Sequence, residues 1–292
     1  MENILEVVGL NKKYENSDFS LKNVNLTVPK GVIMGIVGEN GAGKSTTMGC
    51  ILNTLIKDSG TVKVFGIEMT DKSTKLRDEI GVVYDVNPFP ESLTPKKISS
   101  GMALIYSNWD KVLFKEYLET FTLPENKKIK TFSRGMTMKL ALAVALSHKP
   151  KLLILDEPTA GLDPMVREDV LSLLLDFVQD ENRSILFSSH ITTDLEKIAD
   201  YITFIHNGEV VFCDNKDELL YQYGVIRCKS SQFNKIDKTD ILAYKKRSHQ
   251  IDVLVANKKT AEKKYRDMVI DDANIEEIML LIAKGDKSDD NK

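Results

Sequence analysis

The chain has 292 residues, of which 42% are hydrophobic and 28% are charged, a composition typical of an ordinary globular protein and not of a disordered or fibrous one. Its formal net charge of -3 gives no long-range attraction to nucleic acid, so we expect no nucleic-acid partner. Apolar runs such as Leu140 to Leu146 are far shorter than the roughly 18 to 20 residues that cross a bilayer.

The cysteines and the first residues both favour a reducing, cytoplasmic location. Cys50, Cys213 and Cys228 are odd in number and far apart, which argues against a disulfide framework. Met1 to Gly9 lacks the basic stretch and apolar run of a secretory signal. Any role at a membrane is therefore expected to depend on a partner.

The first predicted elements are strands followed by a helix. Alternating or continuous apolar residues predict strands at Ile4 to Val8, Leu21 to Val28 and Val32 to Val37. A glycine-rich turn follows the third strand, and Lys44 to Leu55 predicts a helix. Strand, glycine loop and helix are the setting that a phosphate site requires.

A helical insertion is predicted at about residues 86–150, with helices at Ile98 to Tyr106, Lys111 to Phe121 and Gly135 to Ser147. Alternation of strand and helix then returns. Its predicted elements are Leu152 to Leu155, Met165 to Val178, Ser184 to Ser188 and Tyr201 to Ile205.

The end of the chain has a different character. Ile241 to Tyr244 and Ile251 to Val255 flank the basic turn Lys245 to Arg247, which predicts a hairpin, and a terminal helix carries Ile275, Ile278, Met279 and Ile282 on one face. We therefore expect an α/β domain at residues 1–220 and a small α+β accessory domain at residues 221–292.

The glycine loop matches the Walker A pattern, in which backbone N–H groups curl around phosphate oxygens at a helix start. Lys44 should bridge the β- and γ-phosphates, and the Ser45 hydroxyl should hold Mg²⁺. Kinases, GTPases and motor ATPases share this pattern, so it predicts only a nucleotide phosphate. The candidate residues are Gly38, Asn40, Gly41, Gly43, Lys44, Ser45 and Thr46.

Two carboxylates end the apolar strand at Leu152 to Leu155. Their positions assign Asp156 to the Mg²⁺ shell and Glu157 to the attacking water, which it would orient and deprotonate. The pair therefore predicts hydrolysis of the bound phosphate.

The segment Phe132-Ser133-Arg134-Gly135-Met136, placed before a helix and before the acidic pair, resembles the signature of the ATP-binding cassette (ABC) transporter ATPases. That family's signature is Leu-Ser-Gly-Gly-Gln, of which this chain keeps the serine and the second glycine. The resemblance implies a P-loop ABC-type ATPase core with an inserted helical signature subdomain. It also implies that Ser133 and Gly135 contact the γ-phosphate of ATP held by the facing subunit.

Further matches follow in the order of the family. Ala160 to Asp163 resembles the D-loop, which implies that Asp163 lies at the dimer seam, and His190 resembles the switch histidine that reaches the γ-phosphate. Tyr14 resembles the aromatic residue that stacks on adenine. The resemblance covers roughly Ile4 to Leu220.

Two residues depart from the family. Asp85 stands where the family has the glutamine that contacts Mg²⁺, so we expect either a carboxylate ligand of the metal or a water-mediated or structural residue. Arg134 replaces a signature glycine and would either bond the phosphate or point to solvent.

The resemblance implies an ATPase on the cytoplasmic face of the cell membrane, with ATP and Mg²⁺ as cofactors. Its partners would be membrane-spanning permease subunits and a second ATPase subunit, identical or different. The substitutions resemble the branch that exports drugs and antimicrobial or amphipathic peptides from Gram-positive bacteria. The alternatives are an ABC ATPase uncoupled from transport and a non-hydrolysing sensor that dimerises on ATP.

Overall fold

The computed structural model describes residues 2–15 and 18–286 of the chain, which divides into two compact units, Met1–Cys213 and Asp214–Lys292. The functional division at residues 220 and 221 remains a prediction, and residues 287–292 lie outside the described residues. In the described ranges, no helix combines the length and the apolar character needed to span a bilayer.

An antiparallel sheet forms the first layer of the larger unit. Its strands are β1 (Asn3–Lys13), β2 (Ser20–Pro29), β4 (Ser59–Val64) and β5 (Ile67–Glu68), in the order β2-β1-β4-β5. On β1, Leu5, Val7 and Leu10 are buried and lie opposite the buried apolar residues of β2. One face of this sheet therefore contributes to the main hydrophobic core.

A six-stranded sheet carries the rest of that core. Its strands are β3 (Ile33–Val37), β6 (Ile80–Val83), β7 (Leu152–Asp156), β8 (Ser184–Ser189), β9 (Tyr201–His206) and β10 (Glu209–Asn215). The order is β10-β9-β3-β8-β7-β6, and the pairs from β9 to β6 are parallel. Every residue of β3 is buried, as its continuous apolar run predicts.

This topology positions the candidate site. Parallel strands place their carboxyl ends at one edge of a sheet, where open α/β folds bind ligands. The glycine loop follows β3, and Asp156 ends β7. Asp85 follows β6, and His190 follows β8. Segments distant in sequence therefore meet at one edge.

The helices of the larger unit include the three expected in the insertion. Helix α1 ends at Ile51 and not at Leu55, because the amides of Thr54 and Leu55 turn back to the carbonyl of Gly49 and Asn53 has a positive φ of 55°. The helices are α1 (Lys44–Ile51), α2 (Thr74–Arg77), α3 (Pro95–Ile105), α4 (Lys111–Thr120), α5 (Arg134–Leu146), α6 (Pro164–Phe177) and α7 (Thr192–Ile198).

The smaller unit is an antiparallel sheet with short helices. Its elements are α8 (Lys216–Gln222), β11 (Gly224–Cys228), α9 (Ser230–Phe233), β12 (Ala243–Lys246), β13 (Ile251–Val255), α10 (Lys258–Lys264), β14 (Val269–Asp272) and α11 (Ile275–Lys284). The sheet order is β12-β13-β11-β14.

The expected hairpin is present as β12 and β13, with one difference. Lys245 and Lys246 lie in β12 and pair with β13, so the turn begins at Arg247. On α11, Ile275 and Ile278 are buried as expected, together with Leu281. Met279 and Ile282 are only half-buried, because the buried face is rotated toward Leu281.

A charge cluster joins the elements of the smaller unit. The Arg227 guanidinium on β11 bonds Asp252 at 3.4 Å, Asp271 at 2.6 Å and Glu277 at 2.5 Å. The hydrogen bonds and charges of these carboxylates, Glu277 first, raise the pKa of Arg227 above its ordinary value. One cation therefore links β11 to β13, β14 and α11.

Candidate functional site

A cleft of about 810 Å³ opens at the carboxyl edge of the parallel sheet. Five segments form it: the residue before β2, the glycine loop, the start of α1, the stretch after β6 and the end of β7. The lining residues are Phe19, Glu39, Asn40, Gly41, Gly43, Lys44, Ser45, Thr46, Tyr84, Asp85, Val86, Asn87, Pro88, Asp156 and Glu157.

The conformation of the glycine loop requires glycine at two positions. Gly43 immediately precedes α1 with φ of 115°, and a Cβ there would lie 2.6 Å from Cδ2 of Leu21. At Gly38 a Cβ would lie 2.4 Å from the carbonyl oxygen of Ile205. The loop thus packs tightly on its neighbours and leads directly into a helix, the arrangement that favours an anion.

Lys44 is buried, and its ammonium group is fully engaged. Its Nζ donates to the carbonyl of Gly38 at 2.8 Å and to that of Glu39 at 3.4 Å. Oε1 of Glu157 lies 3.1 Å from the same nitrogen. The side chain that should grip a phosphate is therefore fixed between its own loop and a carboxylate.

The two acidic residues at the end of β7 both bond a serine that the sequence did not indicate. Ser188 lies opposite Asp156 in the β7–β8 register, and its Oγ donates to Oδ1 of Asp156 at 2.6 Å. Oγ of Ser188 also accepts the Glu157 N–H at 3.1 Å. Glu157 has a positive φ of 51°, a strained conformation of the kind that concentrates at functional sites.

His190 joins this arrangement through Glu157. Its Nδ1 lies 2.7 Å from Oε2 of Glu157, and its backbone N–H donates to the same oxygen at 3.2 Å. The Glu157 carboxylate therefore lies between Lys44 and His190, so the structure brings these three expected residues together.

Tyr14 reaches the site by way of Thr46. Its hydroxyl lies 3.4 Å from Oγ1 of Thr46, and its ring centroid lies 6.4 Å from that of Phe19. Phe19 lines the cleft but was not singled out from the sequence. Its one signal was an aromatic side chain directly before β2.

Ser133, Gly135 and Asp163 do not line this cleft. Ser133 is exposed at the start of α5, where its Oγ accepts the Met136 N–H at 3.2 Å. Asp163 is exposed and caps α6, accepting the N–H groups of Met165 and Val166. These residues form a second group, separate from the glycine loop.

Asp85 and Arg134, the two departures from the family pattern, are paired with each other. A guanidinium nitrogen of Arg134 lies 2.5 Å from Oδ1 of Asp85. Asp85 also lines the cleft, and its ligation of a metal remains a prediction. The sequence predicted that Arg134 either contacts a phosphate or points to solvent. The ion pair with Asp85 was not among these expectations.

The side chains of this cleft would supply only some of the ligands of a metal ion, and a substrate and water would supply the others. Within residues 2–15 and 18–286, no group of three or more His, Cys, Asp and Glu side chains is placed to hold a metal. Ser45 and Asp156 both line the cleft. One carboxylate and one hydroxyl suit Mg²⁺ that takes its other ligands from phosphates and water.

Comparisons with known proteins agree with this geometry. A family model described as ABC transporter matches residues 21–160. The Bacillus subtilis (strain 168) protein named ABC transporter ATP-binding protein YtrB is 34% identical over 220 residues, which is 75% of each chain. The Enterococcus faecalis protein named Bacitracin transport ATP-binding protein BcrA is 34% identical over 221 residues, 75% of this chain and 71% of the relative.

A solved ATP binding subunit of an ABC transporter is 27% identical and superposes with a TM-score of 0.66. The match covers 74% of this chain and 91% of the solved one. Fold, cleft and relatives lead to one conclusion: the chain belongs to the ABC transporter family, as an ATP-binding and ATP-hydrolysing subunit.

Proposed function

We propose that two copies of this chain clamp ATP and Mg²⁺ between them, hydrolyse the ATP through Glu157, and thereby drive separate membrane-spanning subunits. One observation carries the proposal: the Glu157 carboxylate lies between Lys44 at 3.1 Å and His190 at 2.7 Å, beside the glycine loop. Phosphoryl transfer to water uses a cation that holds the phosphates and a residue that orients and deprotonates the water, and His190 positions that second residue here.

ATP binding would change the partner of Lys44. The β- and γ-phosphates carry more negative charge than Glu157 does, so they would attract the ammonium group away from Oε1 of that carboxylate. The freed carboxylate, still positioned by His190, would then orient and deprotonate the attacking water. Tyr14 and Phe19 offer aromatic surfaces for adenine near Thr46.

Ser45 and Asp156 would hold Mg²⁺, whereas Asp85, the further ligand that the resemblance suggested, lines the same cleft but is paired with Arg134. The ion would neutralise charge on the phosphate oxygens. Ser188 supports this assignment, because its bond to Oδ1 fixes the orientation of the Asp156 carboxylate.

The location of Ser133, Gly135 and Asp163 supports a site shared between two subunits. These residues lie outside the cleft of their own chain, and the Ser133 and Asp163 side chains are exposed. The start of α5 favours an anion, through its N–H groups and the helix dipole. A second copy could therefore present this group to the γ-phosphate bound at the glycine loop.

Mixing two inactive variants tests the shared site. Lys44→Met removes the phosphate cation, and Ser133→Arg blocks the signature, so each variant alone should lose ATPase activity. A mixed dimer keeps one intact site, composed of Lys44 from one copy and Ser133 from the other. Random pairing makes about half of the dimers mixed, so the mixture should recover on the order of a quarter of wild-type activity.

The matched control mixes Lys44→Met with Glu157→Gln. Both lesions then lie on the glycine-loop side, so each site of a mixed dimer contains one of them and no activity should return. Recovery in the first mixture alone supports the shared site. Failure of the first mixture, with active wild-type protein, would rule out a site shared between two copies of this chain.

For the transported cargo, we propose a drug or an antimicrobial or amphipathic peptide, moved outward by permease subunits at the cytoplasmic face of the membrane. The support is the relative named for bacitracin transport. Purification of the tagged chain from detergent-extracted membranes should yield a polytopic membrane protein. Its absence would favour an ABC ATPase that acts away from transport.

Cells that produce the Glu157→Gln variant should become more sensitive to the exported compound than cells with wild-type protein. Bacitracin is the first compound to test. Equal sensitivity across a panel of antimicrobial peptides and drugs would contradict this choice of cargo class without affecting the ATPase assignment.

A further inference from the structure

The Asp85–Arg134 ion pair connects two segments that are 49 residues apart in sequence. Asp85 follows β6 at the rim of the cleft, and Arg134 is the first residue of α5, directly after Ser133. The pair therefore ties the rim of the glycine-loop cleft to the segment that carries the signature.

Arg134 occupies a position where a cation needs compensation. The start of a helix bears partial positive charge, so an arginine there is electrostatically unfavourable. The first turn of α5 contains no acidic residue of its own. Asp85 supplies the missing negative charge from a different segment, and thus favours both the guanidinium and the helix start.

The same guanidinium also lies against the turn between β7 and α6. Gly161 has φ of 66°, and a Cβ there would lie 3.2 Å from both Cζ and Nε of Arg134. The start of α5 also packs on α6 itself, since a Cβ at Gly135 would lie 3.3 Å from Cγ1 of Val166. Three segments therefore meet at Arg134: the stretch after β6, the start of α5 and the turn before α6.

We propose that Asp85 and Arg134 act as one unit that positions Ser133, Gly135 and the Gly161 turn for the nucleotide of the facing subunit. In this role Asp85 acts through Arg134 and not as a ligand of the metal. The proposal rests on the proposed function, because it concerns the part of the shared site that lies outside the cleft.

The expected effect is moderate. About half of each side chain is exposed, 52% for Arg134 and 46% for Asp85, and exposed ion pairs couple weakly. We expect Asp85→Asn and Arg134→Gln each to lower kcat on the order of fivefold. ATP affinity of the isolated subunit should change less than twofold, since Lys44 and the glycine loop are untouched.

A double-mutant cycle on the full-length chain tests whether the two residues act together. Phosphate release is measured for the wild type, both single variants and the double variant Asp85→Asn/Arg134→Gln. The rate that Glu157→Gln protein gives in the same assay is subtracted from each. If they form one unit, the double variant should be no slower than the slower single variant. Independent, multiplying losses, or no loss of kcat, would overturn the proposal.

The Glu79–Lys151 pair provides a matched control. Its atoms lie 2.6 Å apart, with 38% and 55% of the side chains exposed, similar to Asp85 and Arg134. Because Glu79 and Lys151 precede β6 and β7, they lie at the opposite edge of the parallel sheet. Glu79→Gln and Lys151→Gln should leave kcat unchanged, and a fivefold loss there would show that kcat responds to any surface pair.

Magnesium titration separates this role from metal ligation. If Asp85 acts through Arg134, Asp85→Asn and Arg134→Gln should leave the half-saturating Mg²⁺ concentration within twofold of wild type. A shift of tenfold or more in Asp85→Asn alone would assign Asp85 to the metal and overturn the proposal.

Amide hydrogen exchange of nucleotide-free protein provides a readout that needs no ATPase activity. Asp85→Asn and Arg134→Gln should raise exchange to similar extents at the start of α5 and at the Gly161 turn, whereas Lys151→Gln should not. Unchanged exchange contradicts the pair as a positioning unit. Absence of Glu157-dependent hydrolysis in wild-type protein would contradict the proposed function instead.

Discussion

The Lys44 ammonium group lies 3.1 Å from Oε1 of Glu157, and only 6% and 13% of the two side chains are exposed. The proposed general base and the proposed phosphate-binding cation therefore neutralise each other in a largely buried setting. Removal of one partner from such a pair leaves the other charge without compensation.

Lys44→Met should accordingly destabilise the nucleotide-free chain by about 1–3 kcal/mol, because the Glu157 carboxylate loses its cation. Adding Glu157→Gln to Lys44→Met should restore part of that loss, since the uncompensated charge is gone. Urea unfolding of the wild type, both single variants and the double variant measures the coupling. Additive effects would show that the ion pair makes no contribution to stability.

Tyr14→Ala should weaken ATP binding by about 1–3 kcal/mol, the usual contribution of an aromatic side chain stacked on a base. Tyr14→Phe keeps the ring and loses only the hydroxyl contact to Thr46, so its affinity should stay within twofold of wild type. Equilibrium binding of a fluorescent ATP analogue to each variant checks the contrast. Equal affinities of the alanine and phenylalanine variants would remove Tyr14 from the adenine site.

His148 should make the stability of the larger unit depend on pH. The residue is buried and stacked on Tyr106 at 4.0 Å, and with Nε2 protonated it donates to the carbonyl of Ile80 at 3.2 Å. Burial lowers the pKa of His148, so below its ordinary pKa of about 6.5 the unfolded chain binds a proton that the folded chain does not.

The His148 contribution to stability is therefore complete above about pH 6.5 and is lost as the pH falls through the lowered folded-state pKa. His148→Phe keeps an aromatic ring against Tyr106 and does not titrate. Its melting temperature should fall less than that of the wild type between pH 7.5 and pH 5.5. Parallel pH profiles for the two proteins would contradict this assignment.

The sequence predicted which residues lie at the site better than it predicted the contacts between those residues. Gly43, Lys44, Asp156 and His190 follow or end parallel strands, and strand periodicity alone predicts that such residues share an edge. The contact between Lys44 and Glu157 depends in addition on the positive φ of Glu157, which no local pattern indicates.

Ser188 and the Asp85–Arg134 contact were not predicted from the sequence, because both depend on tertiary pairing. Ser188 bonds Asp156 only because β7 and β8 are neighbours in a particular register. The sequence predicts separate roles for Asp85, as a metal ligand or a water-mediated or structural residue, and for Arg134, at the phosphate or in solvent. It does not predict their contact, because a pair 49 residues apart has no characteristic spacing. They come into contact because the fold places the stretch after β6 next to the start of α5.

The rate of phosphate release from Glu157→Gln protein, compared with the wild type, tests the central claim most directly. Substitution of a general base typically slows the chemical step by about 10²–10⁴-fold, so we predict a loss of at least 100-fold with ATP binding retained. Glu116→Gln, on the exposed side of α4, is the matched control and should hydrolyse ATP at the wild-type rate. Hydrolysis by Glu157→Gln at the wild-type rate would contradict the assignment of Glu157 as the general base.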